Sequence, residues 1–496
     1  MHLASERLFV RNISLLILLG ASPLLAQFDS ATVIGSISDP SGSAVVGAKV
    51  TIENVQTGVR QTGASDATGD YTFLNLRIGT YKVAAEAPGF KIAASDPFVL
   101  TVNARQRVNL NLAVGAVTET VVVEAAAAAL ASDTSDRGQV ITRAAIVNLP
   151  RNGRAYADLA LLSPGVRKSN ILNRDASFNV NGLRSSHNNF MVDGLDNNAY
   201  GTANQGFSSQ VIQLSPDAVQ EFRVQTGNFS AEYGRAGGAV INASIRSGTN
   251  IFHGSAWEFL RNTKLNAVGF FRPSTGVKPV LVQNQFGAKF GGPIRKDKLF
   301  FFVDYEGFRR VERGLQYASI PSVEQREGRL GIPLRNQLTA DEYPGGVIPQ
   351  SAMTAFARKV LGDLPTPPRP TKLGDLPSNN WDYLTPTSWN DKKGNVRLDY
   401  FINDKLNVFA RYNDRLLRRT ENHVIPGPSG GDANGHVRVK NRQAAGGLNY
   451  NLSPTSLVDV RFAAGWTEGG KGPLGGERPG MLESYGIPGL PSAYLQ

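Results

Sequence analysis

Polar and apolar positions alternate with period two in short runs over most of this chain, and the runs change character twice. From Thr32 to about Asn111 they are brief: Thr32–Ile37, Ala48–Ile52, Asp70–Leu74, Tyr81–Ala85 and Val108–Leu112. Turn signals separate them at Asp39-Pro40-Ser41-Gly42, Asp66-Ala67-Thr68-Gly69 and Ala87-Pro88-Gly89. That spacing predicts a small antiparallel β-sandwich over residues 27–115. Tyr71, Phe73 and Tyr81 alternate along it and fit its core, an exposed sugar-binding face being the other reading.

From Ser135 to Thr249 the texture changes. Ile141–Leu149 and Tyr156–Leu162 read as two short helical pieces around the turn Pro150-Arg151-Asn152-Gly153, and Ser163-Pro164-Gly165 stops the second. Strands are expected at Phe178–Gly182, Asn189–Gly194 and Val219–Val224, which makes residues 135–249 a small α+β domain.

After Asn250 the alternation lengthens into hairpins. Val396, Leu398, Tyr400 and Ile402 share one face and Arg397, Asp399 and Phe401 the other. The chain turns at Asn403-Asp404-Lys405 and returns through Leu406, Val408, Ala410 and Tyr412. A second hairpin turns at Ser453-Pro454-Thr455 into Val458, Val460, Phe462, Ala464 and Trp466. Apolar-out, polar-in strands with aromatics near their ends predict a membrane barrel, with a soluble sandwich as the alternative. Phe300-Phe301-Phe302 departs from the pattern, and Val311–Trp389, with Pro365-Thr366-Pro367-Pro368-Arg369-Pro370, reads as a long surface excursion. The fold class is mainly β: a sandwich, a small α+β domain, then the first strands of an antiparallel transmembrane β-barrel.

The N-terminus adds a destination. Arg7 and Arg11, the apolar run Ile13–Leu19 and Leu24-Leu25-Ala26 before Gln27 form an export signal over residues 1–26. Elsewhere no stretch approaches the roughly 18 apolar residues of a membrane helix. Absence of cysteine excludes disulfides, thiolate metal sites and a lipid-bearing cysteine. The net charge of +11 is spread singly, with small groups at Arg309, Arg310, Arg313 and Arg415, Arg418, Arg419, and is read as a solvated basic surface. No nucleic-acid-binding motif accompanies it. The five histidines, His2, His187, His253, His423 and His436, form no helical pair, and no nucleophile elbow or phosphate loop is present, so an enzyme is not expected. Asp193-Gly194-Leu195-Asp196-Asn197-Asn198 is the best metal-like run but lacks the spacing of a calcium loop, so it reads as a turn. No cofactor or metal is expected.

Particular residues also carry a resemblance. Gly35–Val50 followed by Asp66-x-x-Gly69-x-Tyr71-x-Phe73-x-x-Leu76-x-x-Gly79-x-Tyr81-x-Val83 is similar to the carboxypeptidase regulatory-like domain, a carbohydrate-binding-like sandwich. Leu149–Arg154, Leu161–Val166, Asn188–Gly194, Ser215–Phe222 and Asn228–Asn242 resemble, in order, the plug of TonB-dependent receptors, above all the Oar-like subgroup. The resemblance implies an outer-membrane receptor or transporter that binds an extracellular substrate and passes it to the periplasm with energy from TonB and its inner-membrane complex. Its partners are then TonB, outer-membrane lipid and an unidentified substrate, and a non-transporting surface adhesin or carbohydrate-binding protein is the alternative.

Residues 116–134 then form a linker. In it Glu119, Thr120, Val121, Val122 and Val123 resemble a TonB box, an extended segment donated to another protein's sheet edge; the last sandwich strand is the equal alternative. Arg154, Asn188 and Asn189 are candidate ligand contacts in the plug, with turn and core-capping roles beside that reading. A barrel that encloses a plug needs about 22 strands of roughly 9 to 11 residues. The 246 residues after Asn250, 79 of them in the excursion, do not hold one, and Pro491–Gln496 lacks an amphipathic final strand. The expectation is therefore a partial barrel over residues 250–496, from a truncated or split gene product.

Overall fold

The structure is a computed structural model and describes residues 31–115, 120–123, 135–151, 154–168, 178–199, 210–235, 237–268, 278–425, 435–453, 456–472, 474 and 485. The predicted export segment, Glu119 and the last residues fall outside these.

Ten strands come first: β1 (Ala31–Ser38), β2 (Lys49–Asn54), β3 (Arg60–Ala64), β4 (Asp70–Leu76), β5 (Gly79–Glu86), β6 (Ile92–Ser95), β7 (Phe98–Leu100), β8 (Arg105–Arg107), β9 (Leu110–Asn111) and β10 (Thr120–Val123). One sheet runs β4-β1-β8 with β9 also on β1, the other β10-β6-β5-β2-β3 with β7 also on β5. Their inner faces bury Val33, Val50, Ile52, Val83 and the expected Tyr71, Phe73 and Tyr81 in one core. Gly35 is required there, because a Cβ would come within 1.8 Å of the Val108 carbonyl oxygen.

The middle domain contains β11 (Arg137–Ile141), α1 (Arg143–Asn148), a 3-10 turn (Tyr156–Leu162), β12 (Val166–Lys168), β13 (Phe178–Val180), β14 (Asn189–Val192), β15 (Leu195–Asp196), β16 (Val219–Gly227) and β17 (Val240–Ile245). Its sheet runs β11-β16-β17-β14-β15. Helix α1 is shorter than the predicted Ile141–Leu149 because Ile141 closes β11 and pairs with Phe222. Tyr156, Phe178, Phe190 and Phe222 centre the core, and Tyr156 meets Phe222 edge-on at 5.4 Å.

The third region is a wall of long strands: β18 (His253–Asn262), β19 (Val280–Arg295), β20 (Leu299–Ala318), β23 (Trp381–Phe401), β24 (Leu406–Glu421), β25 (Gly435–Ser453) and β26 (Ser456–Gly472). Between β20 and β23 lie α2 (Val323–Arg326), the small hairpin β21 (Leu334–Arg335) and β22 (Glu342–Tyr343), and α3 (Ala355–Asp363). The seven wall strands pair in sequence order, each antiparallel to the next, and among the described residues no pairing closes them into a cylinder. The excursion is shorter than predicted, residues 319–380 rather than Val311–Trp389, because β20 and β23 pair from Leu299↔Tyr400 to Ala318↔Trp381. A 20-residue strand spans roughly 65 Å, against an apolar band of about 25 Å. Its outer part lies beyond lipid and sheds the apolar alternation that sequence reading follows.

Alternation does hold near the short turns. Val396, Leu398 and Tyr400 are exposed on the outer face while Arg397 and Asp399 are buried inside. The Phe300–Phe302 run obeys the same rule. Phe300 and Phe302 point inward, where Phe302 joins the middle-domain core, so an apolar inner pair has an apolar partner.

Candidate functional site

The wall has two unlike ends. Short turns follow β19, β23 and β25, whereas residues 263–279, 319–380 and 422–434 make the connections at the other end. In outer-membrane barrels short turns face the periplasm and long loops the outside.

The middle domain meets the inner wall through charged hubs. β14 and β15 are joined by the two-residue turn Asp193-Gly194, with φ of 51° and 72°. Positive φ at both positions is what a tight hairpin of this kind demands, and Asp-Gly supplies it. The turn thrusts the Asp193 carboxylate at the wall. Arg397 Nη1 donates to Oδ1 at 2.9 Å, Arg411 Nε lies 3.1 Å from Oδ2, and Arg461 Nη1 donates to the Asp193 carbonyl at 2.9 Å. The metal-like run is thus a turn whose first carboxylate holds arginines and also accepts the Ile245 N–H at 2.9 Å.

A second hub is Asp217, which accepts from Arg154 Nη2 at 2.8 Å and from Lys289 Nζ at 2.6 Å. Burial pushes its carboxyl upward, and the Lys289 and Arg154 cations outweigh that, holding it below the usual range. Ser215 Oγ donates to Asp304 of the wall at 2.6 Å. Arg415, read from sequence as part of a solvated basic group, is instead buried and pairs twice with Asp391. Its partner sits on the neighbouring strand, 24 residues away, where a linear reading finds no counterpart.

Of the candidate ligand contacts, Arg154 is buried against Asp217 with its guanidinium 4.2 Å over the Phe259 ring. Asn188 donates to the Phe178 carbonyl and accepts the Ala239 N–H, and Asn189 donates to the Gly234 carbonyl and accepts from Asn198. All three side chains hold the domain together, and Asn188 and Asn189 lie away from Arg154 on the β14 side. Thr120–Val123 of the TonB-box-like segment form β10, paired parallel with β6 of the sandwich.

Sequence reading missed a cavity of about 810 Å³ between the middle domain and the wall. Tyr156, Leu161 and Leu162 form one side, Phe308, Trp389 and Lys393 the other. Phe308 and Trp389 lie beyond the Asp217 and Asp193 hubs, toward the long connections, and meet edge-on at 6.2 Å. The Trp389 indole N–H has no hydrogen-bond partner. Burial, with Arg154 nearby, pulls Arg151 on its rim down to about 10. The volume falls within the roughly 300 to 1,000 Å³ of small-molecule sites.

At the opposite end the sandwich sits over the short turns. The Asn250 backbone N–H donates to the Gln56 carbonyl, and its side-chain amide donates to the Thr57 carbonyl and to Asp297 of the β19–β20 turn. Arg77 reaches in to Asp399, its guanidinium 5.2 Å over the Phe401 ring. Val102 and Asn103 bond to Glu221, Arg223 and Tyr233 of the middle domain.

Comparison with known proteins agrees with this layout region by region. A family described as the carboxypeptidase regulatory-like domain matches residues 32–113, the TonB-dependent receptor plug domain residues 131–240, and an outer membrane beta barrel domain residues 244–496, just over half the chain. The chain belongs to the TonB-dependent receptors. The receptor is 33% identical over 306 residues to the TonB-dependent transporter Oar of Myxococcus xanthus, an alignment covering 58% of this chain and 27% of that protein. Among solved structures, the outer membrane transporter YddB from Escherichia coli aligns at 14% identity and a TM-score of 0.42, covering 66% of this chain and 38% of that one. The siderophore receptor PiuA from Acinetobacter baumannii aligns at 13% and 0.35, covering 68% and 46%. The chain thus spans about a quarter of the length of its curated relative. The family is one of outer-membrane transporters rather than enzymes, and it works with TonB and an extracellular substrate.

Proposed function

We propose that this receptor binds a substrate from outside the cell in the cavity above its plug and passes it to the periplasm when TonB, engaged at Glu119–Val123, moves the plug. The observation that carries this reading is the opposite placement of two features. The cavity with its unpartnered Trp389 N–H lies toward the long connections, and Thr120–Val123 lie on the sandwich at the short-turn end. Force applied there would reach β11, an edge strand of the plug sheet. Binding energy and mechanical work, not covalent chemistry, do the task. Arg154, Asn188 and Asn189 would meet substrate only after the plug has shifted, since each is now buried in structural bonds.

Export through a leader cleaved after residue 26 belongs to the same reading. So does the division into a sandwich over 27–115, a linker over 116–134, a plug over 135–249 and wall strands over 250–496. The test is uptake across a panel of nutrients in a strain whose receptor gene lacks the codons for Glu119–Ala125, with surface assembly checked by antibody. Loss of uptake is expected. Unchanged uptake would sink the transport reading in favour of an adhesin.

A further inference from the structure

A second cavity, of about 230 Å³, lies where all three regions meet at the short-turn end. Asn54 and Tyr81 of the sandwich, Ser244 and Arg246 of the plug, and Phe401 and Asn449 of the wall help to line it. Sites for organic ligands begin at roughly 300 Å³, so this one is sized for an ion or a very small molecule.

Its charge is one-sided. Arg77, Arg143, Arg246, Arg397 and Arg461 line it against one carboxylate, Asp193, among the described residues. Three of these arginines are matched: Arg77 and Arg397 by Asp399, Arg397 also by Asp193, and Arg461 by Asp459. Arg143 and Arg246 are not. Arg143 lies 3.9 Å from Asp217, whose oxygens already accept from Arg154 and Lys289. Arg246 forms no salt bridge among the described residues; Asp217 and Asp304 act on it only at a distance, and its guanidinium lies 5.3 Å over the Phe302 ring. Burial, with the Arg143 cation nearby, pulls Arg246 down to about 10, which leaves it charged at neutral pH. Two like charges are thus held near one another in a sheltered space.

A second observation points the same way. Ser244, 4% exposed, lines the cavity with a hydroxyl that has no hydrogen-bond partner, and the Arg246 Nε has none either. Buried polar groups are rarely left unmatched without a use. Glu221, the carboxylate opposite Ser244 in the ladder, accepts from the Val102 N–H and stands outside the lining.

We propose that this cavity binds a small, doubly charged oxyanion of the phosphate class, held by Arg143, Arg246 and the Ser244 hydroxyl between plug, sandwich and wall. Guanidinium forks match the oxygen geometry of a phosphate, and a phosphate group carries close to two negative charges at neutral pH, the number that Arg143 and Arg246 leave unbalanced. The site is separate from the cavity toward the long connections and does not rest on the transport reading. Because its walls come from three regions, a bound anion favours the assembled arrangement over any in which the sandwich or plug has moved away.

The full-length chain, purified in detergent and phosphate-free buffer, is titrated calorimetrically at fixed ionic strength with inorganic phosphate and, separately, with glycerol 3-phosphate. Saturable binding of one anion per chain is expected, and the tighter of the two tells whether the free ion or a phosphomonoester is the natural source. Arg246→Gln and Ser244→Ala should each weaken it by about tenfold or more, the loss that follows removal of a hydrogen bond to a charged group. Without phosphate, Ser244→Ala should melt no lower than the unsubstituted chain, because its hydroxyl has no partner to lose. That variant keeps the test readable if Arg246→Gln disturbs folding. No saturable binding of either anion, or binding that Ser244→Ala and a folded Arg246→Gln both retain at full strength, would overturn the proposal.

Discussion

Glu221 of the plug accepts a hydrogen bond from the backbone N–H of Val102 in the sandwich. The turn between β7 and β8 of one domain thereby bonds a carboxylate that the other domain has buried. Burial pushes the Glu221 carboxyl up from 4.5 to about 7, against the opposing pull of the Val102 N–H and Arg223.

That shift makes stability depend on pH. Below about 4.5 both folded and unfolded chains hold the proton; between 4.5 and 7 only the folded chain does; above 7 the buried site carries a charge it disfavours. Stability is therefore greatest at the acid end and falls as pH rises through 7, by up to about 3 kcal/mol from this group. Thermal melts of the detergent-solubilised chain between pH 5 and 8 check this. Glu221→Gln should gain stability relative to the parent at pH 8 and little at pH 5; an equal effect at both would contradict the assignment.

Asp193→Asn keeps a residue that tolerates positive φ and removes the charge facing Arg397 and Arg411. Breaking a buried pair by removing one partner costs about 3 to 5 kcal/mol. Arg397 retains Asp399, which places the expected loss at the low end. Adding Arg411→Met should recover part of it. Strict additivity of the two substitutions in melting experiments would show that the residues are not coupled.

Arg77→Ala removes the sandwich arginine that reaches Asp399, together with its stacking on Phe401. With a protease site inserted after Ala128, cleavage of the parent should leave residues 27–128 associated with the plug and wall. The variant should release them on gel filtration. Retention in both would mean that the Glu221 and Tyr233 contacts suffice.

Residues 27–115 alone should fold as a soluble all-β monomer, because the sandwich core is closed without help from the plug. Extending the fragment to Glu124 adds β10 to the β6 edge and should raise its melting temperature by several degrees, as about 1 kcal/mol does in a domain of this size. Helical circular dichroism, or identical melts, would count against the account of the sandwich or of β10 respectively.

Strand identity was legible wherever one face is buried and the other wet. Tyr71, Phe73 and Tyr81, and the face shared by Val396, Leu398 and Tyr400, sit where alternation puts them. β3 was invisible because Arg60–Ala64, Arg-Gln-Thr-Gly-Ala, is a polar edge strand with no buried residue. The upper parts of β20 and β23 read as loop because Gly314 and Pro386 interrupt the apolar-polar alternation there. The hubs could not be read at all, since Asp193 meets Arg397 across 204 positions of sequence. The Asp-Gly turn that aims it was visible, though its target was not. The cavity walls come from stretches scattered between Leu149 and Lys393, and Trp389 carried no signal beyond its size.

The Asp193 turn has an effect on motion that follows from electrostatics alone. Withdrawing the plug strips Arg397 and Arg411 of a shared counter-ion and takes the turn's carbonyl from Arg461. Wall guanidiniums left without that carboxylate would raise the energy of the open state, steeply at short range. Under the proposed mechanism the plug would be spring-loaded toward closure by charge, and the receptor would reset itself once the pull on it ends.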